Sequence, residues 1–332
     1  LELAGRLERH GGGLVSLVIM RLAMGVVAAV HAATRTGLAR PGALQGLRFG
    51  DAQGHFPFPR ASACVTTRRT PEPEYAMKAL CLAAALLLAP AAEAASNAEL
   101  VAASIAAPAR SAADRERDAR EHPQAVLEFA GFGPGMVVAD IFGGGGYYAE
   151  LVAGVVGPKG QVRLVNNPPY DAYVRKDLDA HLAGNRLPNV RHETVDPADM
   201  KLGAASLDGA MIVMSYHDLY VSDAAGGWPP IDAADFIDQI AAALKPGAAL
   251  LIVDHQAKAG TGSSAAQDLH RIEESFARQD FTAHGLVYEA SLDVLRSKDD
   301  DHGKGVMDPA IKGRTDRFVH RYRKPPAGDR AP

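Results

Sequence analysis

The chain has 332 residues, 47% of them hydrophobic and 22% charged, so it can form one large domain or two small ones. The formal net charge is −4, but residues 1–94 carry ten Lys or Arg against six Asp or Glu, which leaves about −8 on the remainder. This acidic body argues against a nucleic-acid partner, because contacts to phosphates need clustered Lys and Arg.

The segment that begins at Met77 is typical of a secretory signal peptide. A Lys follows the Met, an apolar run covers 79–89, and small residues surround Ala94. Residues 77–95 are therefore predicted to be a signal peptide, and the mature protein to be periplasmic or secreted. The apolar run is too short to span a bilayer of about 30 Å, so no stable membrane insertion is expected after cleavage. The alternatives are a buried helix or a short anchor, with a cytoplasmic protein if the segment is not used.

The 76 residues before Met77 are interpreted as a start-site extension or a disordered leader, because a signal peptide belongs at a start codon. The alternative is a targeting arm or a membrane helix over 14–33, which Arg21 makes costly. Both cysteines, Cys64 and Cys81, precede residue 96. The body is therefore expected to contain neither a disulfide nor a Cys-based metal site.

Helical patterns alternate with short apolar runs in the body, residues 96–325, which is followed by a tail (326–332) expected to be disordered. A helical pattern covers about 98–130, and Pro123 suits a first helical turn. Another helix is predicted after Asp232, a candidate N-cap, with an apolar stripe that stops at Pro246. The alternation predicts an α/β fold with a parallel sheet covered on both faces. The predicted strands are 136–141, 161–166, 189–194, 207–214 and 248–254.

Four consecutive glycines, 143–146, lie between the first predicted strand and a helix, where doubly wound sheets bind ligands. Glycine allows close approach of a ligand to the backbone, although a tight structural turn is the alternative. Gly144, Gly146 and Ala149 fit G-x-G-x-x-A, the fingerprint of a pyrophosphate-binding helix. Asp140, at the strand end, would repel a pyrophosphate but suits a cationic amino-acid group. The sign of this charge favours S-adenosyl-L-methionine over a nicotinamide dinucleotide.

The stretch VVADIFGGGGYYAEL resembles the first motif, D-x-G-x-G-x-G, of the class I S-adenosylmethionine-dependent methyltransferases, with Phe142 at the first glycine. The motifs GGGYY, YHD and TDRF are most similar to a group of secreted-looking predicted methyltransferases. The resemblance covers about 98–325 and implies a Rossmann-like, doubly wound, mostly parallel seven-stranded sheet with an antiparallel last strand. It implies methyl transfer to a small-molecule acceptor. A nicotinamide-dependent oxidoreductase and a non-catalytic nucleoside-binding module are the alternatives.

The resemblance also implies which residues hold the cofactor. The loop of Gly143, Gly144, Gly145 and Gly146, followed by Tyr147, would pack against the methionine part of the cofactor, and Asp140 would hold its amino group. Asp196 falls where the family has an acid near the adenine amine, with a solvated turn as the alternative. Asn166 replaces an acid that grips both ribose hydroxyls, and its amide would bond one of them less strongly than a charged acceptor.

The candidate catalytic residues follow the fourth predicted strand, where this fold admits the methyl acceptor. His217 has an unperturbed pKa near neutrality and is the candidate base, needed only if the acceptor carries a proton. Tyr216 and Asp218 would orient His217 or the acceptor. The alternative is that His217 caps the following turn.

Other polar groups are interpreted as structural. His217, His255 and His270 could converge with nearby carboxylates at the strand ends, but no ligand spacing supports a metal site and none is predicted. The run 299–302, Asp-Asp-Asp-His, lacks the spacing of a calcium loop and is expected to be solvated. No G-x-S-x-G motif is present, which argues against a hydrolase.

Overall fold

The computed structural model describes residues 95–326. The predictions for residues 1–76, for the signal segment up to residue 94 and for the tail beyond residue 326 concern parts of the chain outside the described residues. Within residues 95–326, every helix is too short or too polar to cross a membrane.

A seven-stranded sheet with the order β3-β2-β1-β4-β5-β7-β6 forms the centre of this part of the chain. β1 pairs in parallel with β2 and β4, while β7 runs antiparallel to both β5 and β6. A dinucleotide-binding sheet has the order 3-2-1-4-5-6, so an antiparallel strand is inserted here beside the last one. The predicted Rossmann-like, mostly parallel sheet with an antiparallel last strand is confirmed. The strands are Val137–Ile141 (β1), Gln161–Asn166 (β2), Val190–Thr194 (β3), Leu207–Val213 (β4), Leu244–His255 (β5), Val287–Ser291 (β6) and Arg317–Arg323 (β7).

The α-helices of residues 95–326 precede, separate and follow these strands. Three of them come before β1, and Pro123 occupies the first turn of the third, as predicted. Asp232 caps the helix before β5 by accepting a hydrogen bond from the Asp235 amide, also as predicted. The helices are Asn97–Ile105 (α1), Ala112–Glu121 (α2), Pro123–Ala130 (α3), Tyr147–Val156 (α4), Pro168–Leu182 (α5), Ala233–Ala243 (α6), Ala266–Leu269 (α7) and Glu274–Ala283 (α8).

Separate apolar clusters cover the two faces of the sheet, because side chains alternate along each strand. On β5, Ile252 belongs to the cluster that contains Phe236 of α6. Its neighbour Leu251 belongs to the cluster that contains Leu127 of α3 and Leu151 of α4. Helices on both faces make the sheet doubly wound, which leaves the carboxyl ends of its parallel strands free to form a site.

Three details differ from the sequence-based prediction. α6 ends at Ala243, three residues before Pro246, because Leu244 already pairs with Leu207 of β4. β6 was not located, since its residues alternate between exposed and half-buried rather than forming an apolar run. The run 299–302 is not simply solvated: Asp300 is buried, and its carboxylate lies 2.9 Å from the guanidinium of the fully buried Arg271.

Candidate functional site

The glycine loop, residues 143–146, packs tightly against the protein itself. A Cβ on Gly143 would lie 2.4 Å from the carboxyl carbon of Asp140, and one on Gly145 would lie 2.7 Å from the Cβ of Asp177 on α5. Gly144 and Gly146 have positive φ values of 59° and 97°. The glycines therefore allow α5 and the Asp140 side chain to approach the loop, whatever they also contribute to ligand binding.

Phe142 stands where the family motif has its first glycine, and it adopts a backbone conformation that favours glycine. Its φ is +50°, in the left-handed region that bulky residues rarely occupy. Its ring packs against Tyr170 of α5 at 4.8 Å and Phe236 of α6 at 5.0 Å between centroids. These contacts hold the residue in a strained conformation, which is common at ligand sites.

Asp140 is a buried carboxylate without a hydrogen-bond partner. It is 1% exposed, and neither oxygen has a partner among the described residues. Burial raises its pKa to about 7, and the positive charge of Arg117 and the nearby backbone amide of Ala149 offset only part of this effect. The glycine loop thus covers an acidic group that a cation would stabilise.

Two further unpartnered groups follow β1 and β4. The hydroxyl of Tyr148, at the start of α4, and the hydroxyl of Ser215, two residues after β4, are buried without a partner among the described residues. Buried polar groups are usually satisfied, so these atoms point to a ligand or to water. The sequence analysis missed both residues, because orphaned groups are recognised only once the surrounding contacts are known.

The side chain of the predicted cofactor residue Tyr147 makes its contacts with α2. Its hydroxyl donates a hydrogen bond of 2.7 Å to Asp118, and the guanidinium of Arg117 lies 4.1 Å from its ring centre. Tyr147 therefore attaches α4 to α2, and its role in cofactor binding stays a prediction.

Asn166 supports the glycine loop. Its side-chain oxygen accepts a hydrogen bond from the Gly144 amide, and its nitrogen donates to the Gly144 carbonyl and to Asp171, at 2.9–3.0 Å. Both N–H groups of the amide are thus used, and the residue is fully buried. Ribose binding by Asn166, which stays a prediction, would have to use the remaining lone pair of its oxygen.

Asp196 lies in the exposed turn after β3, at the edge of a cavity of about 610 Å³. Its carboxylate accepts a hydrogen bond of 3.0 Å from the Ala198 amide, which stabilises the turn. The cavity extends to Pro168 at the start of α5 and to Ile231 before α6. Its volume and largely apolar lining are those of a small-molecule pocket, and the contact of Asp196 with adenine stays a prediction.

His217 lies between two carboxylates directly after β4. Its Nδ1 is 2.7 Å from Asp254 at the end of β5, and its Nε2 is 3.2 Å from Asp218. Burial alone would lower the pKa of His217, but the charges of Asp254 and Asp218 raise it to about 10. In this arrangement His217 carries a proton at neutral pH, so it would have to lose that proton before acting as a base.

Tyr170 connects the end of β1 to the end of β4. Its ring stacks on Phe142, and its hydroxyl donates a hydrogen bond to Asp218. On the far side of Asp218, the Nδ1 of His270 lies 3.5 Å from the carboxylate. Asp254, Tyr170 and His270 thus join the predicted residues Asp218 and His217. Tyr216 does not, because its hydroxyl donates to Asp280 of α8 at 2.6 Å.

No protein-family model and no curated protein sequence matches the chain. Solved structures are similar to it in fold. One is a SAM-dependent methyltransferase from Aquifex aeolicus, at 17% identity and a TM-score of 0.44 over 61% of this chain and 89% of the other. Another is an arsenic(III) S-adenosylmethionine methyltransferase from Chlamydomonas reinhardtii, at 16% identity and a TM-score of 0.40 over 58% of this chain and 64% of the other. A third is Aeropyrum pernix fibrillarin with natively bound S-adenosyl-L-methionine, at 14% identity and a TM-score of 0.36 over 57% of this chain and 67% of the other. At these identities the function has to be inferred from the residues of the chain itself.

The contact between Gly143 and Asp140 predicts a steric effect on stability. Gly143→Ala should lower the free energy of unfolding by about 1–3 kcal/mol, because the added methyl group overlaps Asp140 and Leu164. Gly133→Ala is the control, since its Cβ would meet only Met136 at 3.8 Å. Denaturant unfolding of the three proteins checks this, and equal stability of both variants would contradict it.

The raised pKa of Asp140 predicts a stability that depends on pH. The folded protein binds a proton at Asp140 up to about pH 7, whereas the ordinary pKa of this side chain in an unfolded chain is 3.8, so stability falls as pH rises between the two. Asp140→Asn should remove this fall and raise the free energy of unfolding at pH 8 by up to roughly 4 kcal/mol. Unfolding curves from pH 5 to 8 measure the difference.

Asp208→Asn is the matched control for this measurement. Asp208 pairs with Lys245 at 2.6 Å, and hydrogen bonds and the Lys245 charge lower its pKa against the effect of burial. Its carboxylate therefore stabilises the folded state above the unfolded pKa, and this variant should lose stability at pH 8. A loss of stability in Asp140→Asn as well would show that Asp140 is not an uncompensated charge.

Proposed function

We propose that the protein is an S-adenosylmethionine-dependent methyltransferase that acts on a small-molecule acceptor. The observation that carries the proposal is the buried, unpartnered carboxylate of Asp140 beneath the glycine loop. An isolated buried carboxylate is costly, and a cationic ligand group offsets that cost. S-adenosylmethionine carries an ammonium and a sulfonium, whereas a pyrophosphate would add negative charge.

The residues present fit this cofactor in two places. Asp140 would hold the amino group of its methionine part, with the loop Gly143–Gly146 against it. The cavity beside Asp196 has the volume and apolar lining that the adenosine part requires. When bound, the cofactor would supply the electrophilic methyl group. Since Asp140 is only 1% exposed and Gly143 lies against its carboxyl group, the ammonium reaches it only if the Gly143 segment shifts.

The acceptor side of the site is formed by the residues after β4. Methyl transfer is an in-line displacement, so holding the acceptor close and aligned accounts for most of the catalysis. His217 and Asp218 would bind or orient the acceptor here. Tyr216 is fully buried against α8 and would act by positioning the turn that carries them.

Export of the protein stays a proposal that depends on the signal-like segment at residues 77–95. S-adenosylmethionine is made in the cytosol, so an exported enzyme of this class would need a supply of the cofactor outside it. The nucleoside-binding module is the alternative that cofactor binding alone does not exclude, and only turnover separates it from an enzyme.

Binding calorimetry with S-adenosylhomocysteine and NADH tests the cofactor. The wild-type chain should bind S-adenosylhomocysteine, and Asp140→Asn should weaken this binding by about 10- to 100-fold through the loss of a charged hydrogen bond. The same substitution should leave NADH binding no weaker, because it removes a repulsive charge. Tight NADH binding by the wild type, without S-adenosylhomocysteine binding, would support the oxidoreductase instead.

Turnover of a His217 variant tests the acceptor side. His217→Ala should lower the formation of S-adenosylhomocysteine, assayed with a panel of phenols, amines and thiols, by about 10²–10⁴-fold. Binding of S-adenosylhomocysteine should stay nearly unchanged, which also shows that the variant is folded. His122→Asn is the control, since this exposed histidine lies between α2 and α3 and Asn tolerates its positive φ of 45°. Undiminished turnover in His217→Ala would remove its role.

A further inference from the structure

We propose that His217, Asp218 and His270 form a binding site for one divalent transition-metal ion. His217 and Asp218 lie in the turn after β4, and His270 follows α7. One donor atom from each residue lies within 4.8 Å of the donor atoms of the other two. No regular ligand spacing in the sequence marks these residues, and the fold alone brings them together.

The separations of the donor atoms suit a single ion. Asp218 Oδ1 is 3.2 Å from Nε2 of His217 and 3.5 Å from Nδ1 of His270. Two ligands at about 2.0–2.2 Å from a tetrahedral Zn²⁺ lie roughly 3.3–3.5 Å apart. The third separation, between the donor atoms of His217 and His270, is within 4.8 Å. An ion bound among these atoms would displace the proton that His217 carries on Nε2.

Surrounding groups fix the orientation of two of the three ligands. Asp254 accepts from the His217 backbone amide and contacts its Nδ1 at 2.7 Å, which directs Nε2 toward Asp218 and His270. The hydroxyl of Tyr170 donates to the second oxygen of Asp218 and leaves Oδ1 for an ion. A carboxylate behind a histidine is the usual outer shell of a metal-binding imidazole.

The donor set selects the class of metal. Two imidazole nitrogens and one carboxylate oxygen suit Zn²⁺ or Fe²⁺, whereas Mg²⁺ and Ca²⁺ prefer oxygen alone. The side chain of His270 is 43% exposed, so the site opens to solvent on that side. Three protein ligands leave at least one position free for water or for another ligand.

A second cluster of two carboxylates and a histidine shows how such a group is neutralised by an arginine side chain instead of a metal ion. Asp114, Glu150 and His181 also bring donor atoms together. There, however, Arg186 makes two hydrogen bonds of 2.7 Å to the two oxygens of Glu150, and Ser111 donates to Asp114. That group already contains a permanent cation, whereas the cluster at Asp218 has two carboxylates and only imidazoles beside them.

A bound ion would lie on the acceptor side of the proposed methyltransferase site. A hydroxyl acceptor that occupies the free coordination position of the ion would be held close to His217. The ion would lower the pKa of that hydroxyl. This consequence rests on the proposed function, but the binding of the ion does not.

Calorimetric titration of the chelator-treated full-length chain with Zn²⁺, Mn²⁺ and Co²⁺, without cofactor, tests the site. Wild type should bind Zn²⁺, and His270→Ala and Asp218→Asn should each weaken this binding by at least about 10- to 100-fold. His122→Asn, which removes an exposed histidine between α2 and α3, should leave it unchanged. The visible absorption of bound Co²⁺ should be lost in the same two variants and no others.

His270→Ala is the decisive variant, because its side chain is half exposed. Its φ of 52° disfavours Ala, so thermal unfolding verifies that the variant is folded. The proposal would be overturned if the wild type bound none of the three ions. It would also be overturned if binding survived both the His270→Ala and the Asp218→Asn substitution. Binding of S-adenosylhomocysteine without any metal binding would refute this site alone. Metal binding without S-adenosylhomocysteine binding would refute the proposed function alone.

Discussion

The parallel pairing of β1 with β2 and β4 is the constraint on which the candidate site depends. Asp140 lies opposite Leu164 of β2 and Met211 of β4, and Val213 of β4 lies opposite Val253 of β5. The carboxyl ends of all four strands therefore lie at one edge of the sheet. The residues that leave β1 and β4, Phe142 and Met214, both have positive φ, of 50° and 55°, so the chain turns sharply at that edge.

The charges at this edge decide which ligands it can accept. Asp140, Asp218 and Asp254 are carboxylates at least four-fifths buried, and the imidazole of His217 contacts two of them, Asp218 and Asp254. Burial alone would raise the pKa of Asp218, yet the neighbouring His217 holds it well below its usual value. Asp140 has no such neighbour and its pKa is raised. At β1 the charge of Arg117 offsets only part of the cost of burying Asp140, so the edge suits a cationic cofactor and opposes a pyrophosphate.

Much of the fold could be predicted from the sequence because β1, β2, β4 and β5 are apolar runs that a sheet covered on both faces requires. β6 was missed because Glu289 and Ser291 interrupt any such run at the edge of the sheet. The burial of Asp300 was missed because its partner Arg271 is distant in sequence. Local patterns report propensity and periodicity, and they carry no information about contacts between distant segments.

The same limit applies to the candidate site. The positions of Asp140 and of the glycine loop follow from their place between a strand and a helix. The covering of Gly145 by Asp177 depends on how α5 returns across the loop, and the hydrogen bonds of Asn166 to Gly144 depend on the pairing of β2 with β1. The convergence of His270 on Asp218 likewise depends on the path of the chain after β5.

Tyr170 makes the two halves of the edge interdependent. Its ring stacks on Phe142 beside the glycine loop, while its hydroxyl donates to Asp218 beside His217. Any displacement of Tyr170 away from Phe142 also disturbs its hydrogen bond to Asp218. An unsatisfied carboxylate next to His270 is a stronger site for a cation or for a hydroxyl donor than a satisfied one. A ligand that displaces Tyr170 from Phe142 would therefore change the binding properties of the end of β4, without movement of the sheet between them.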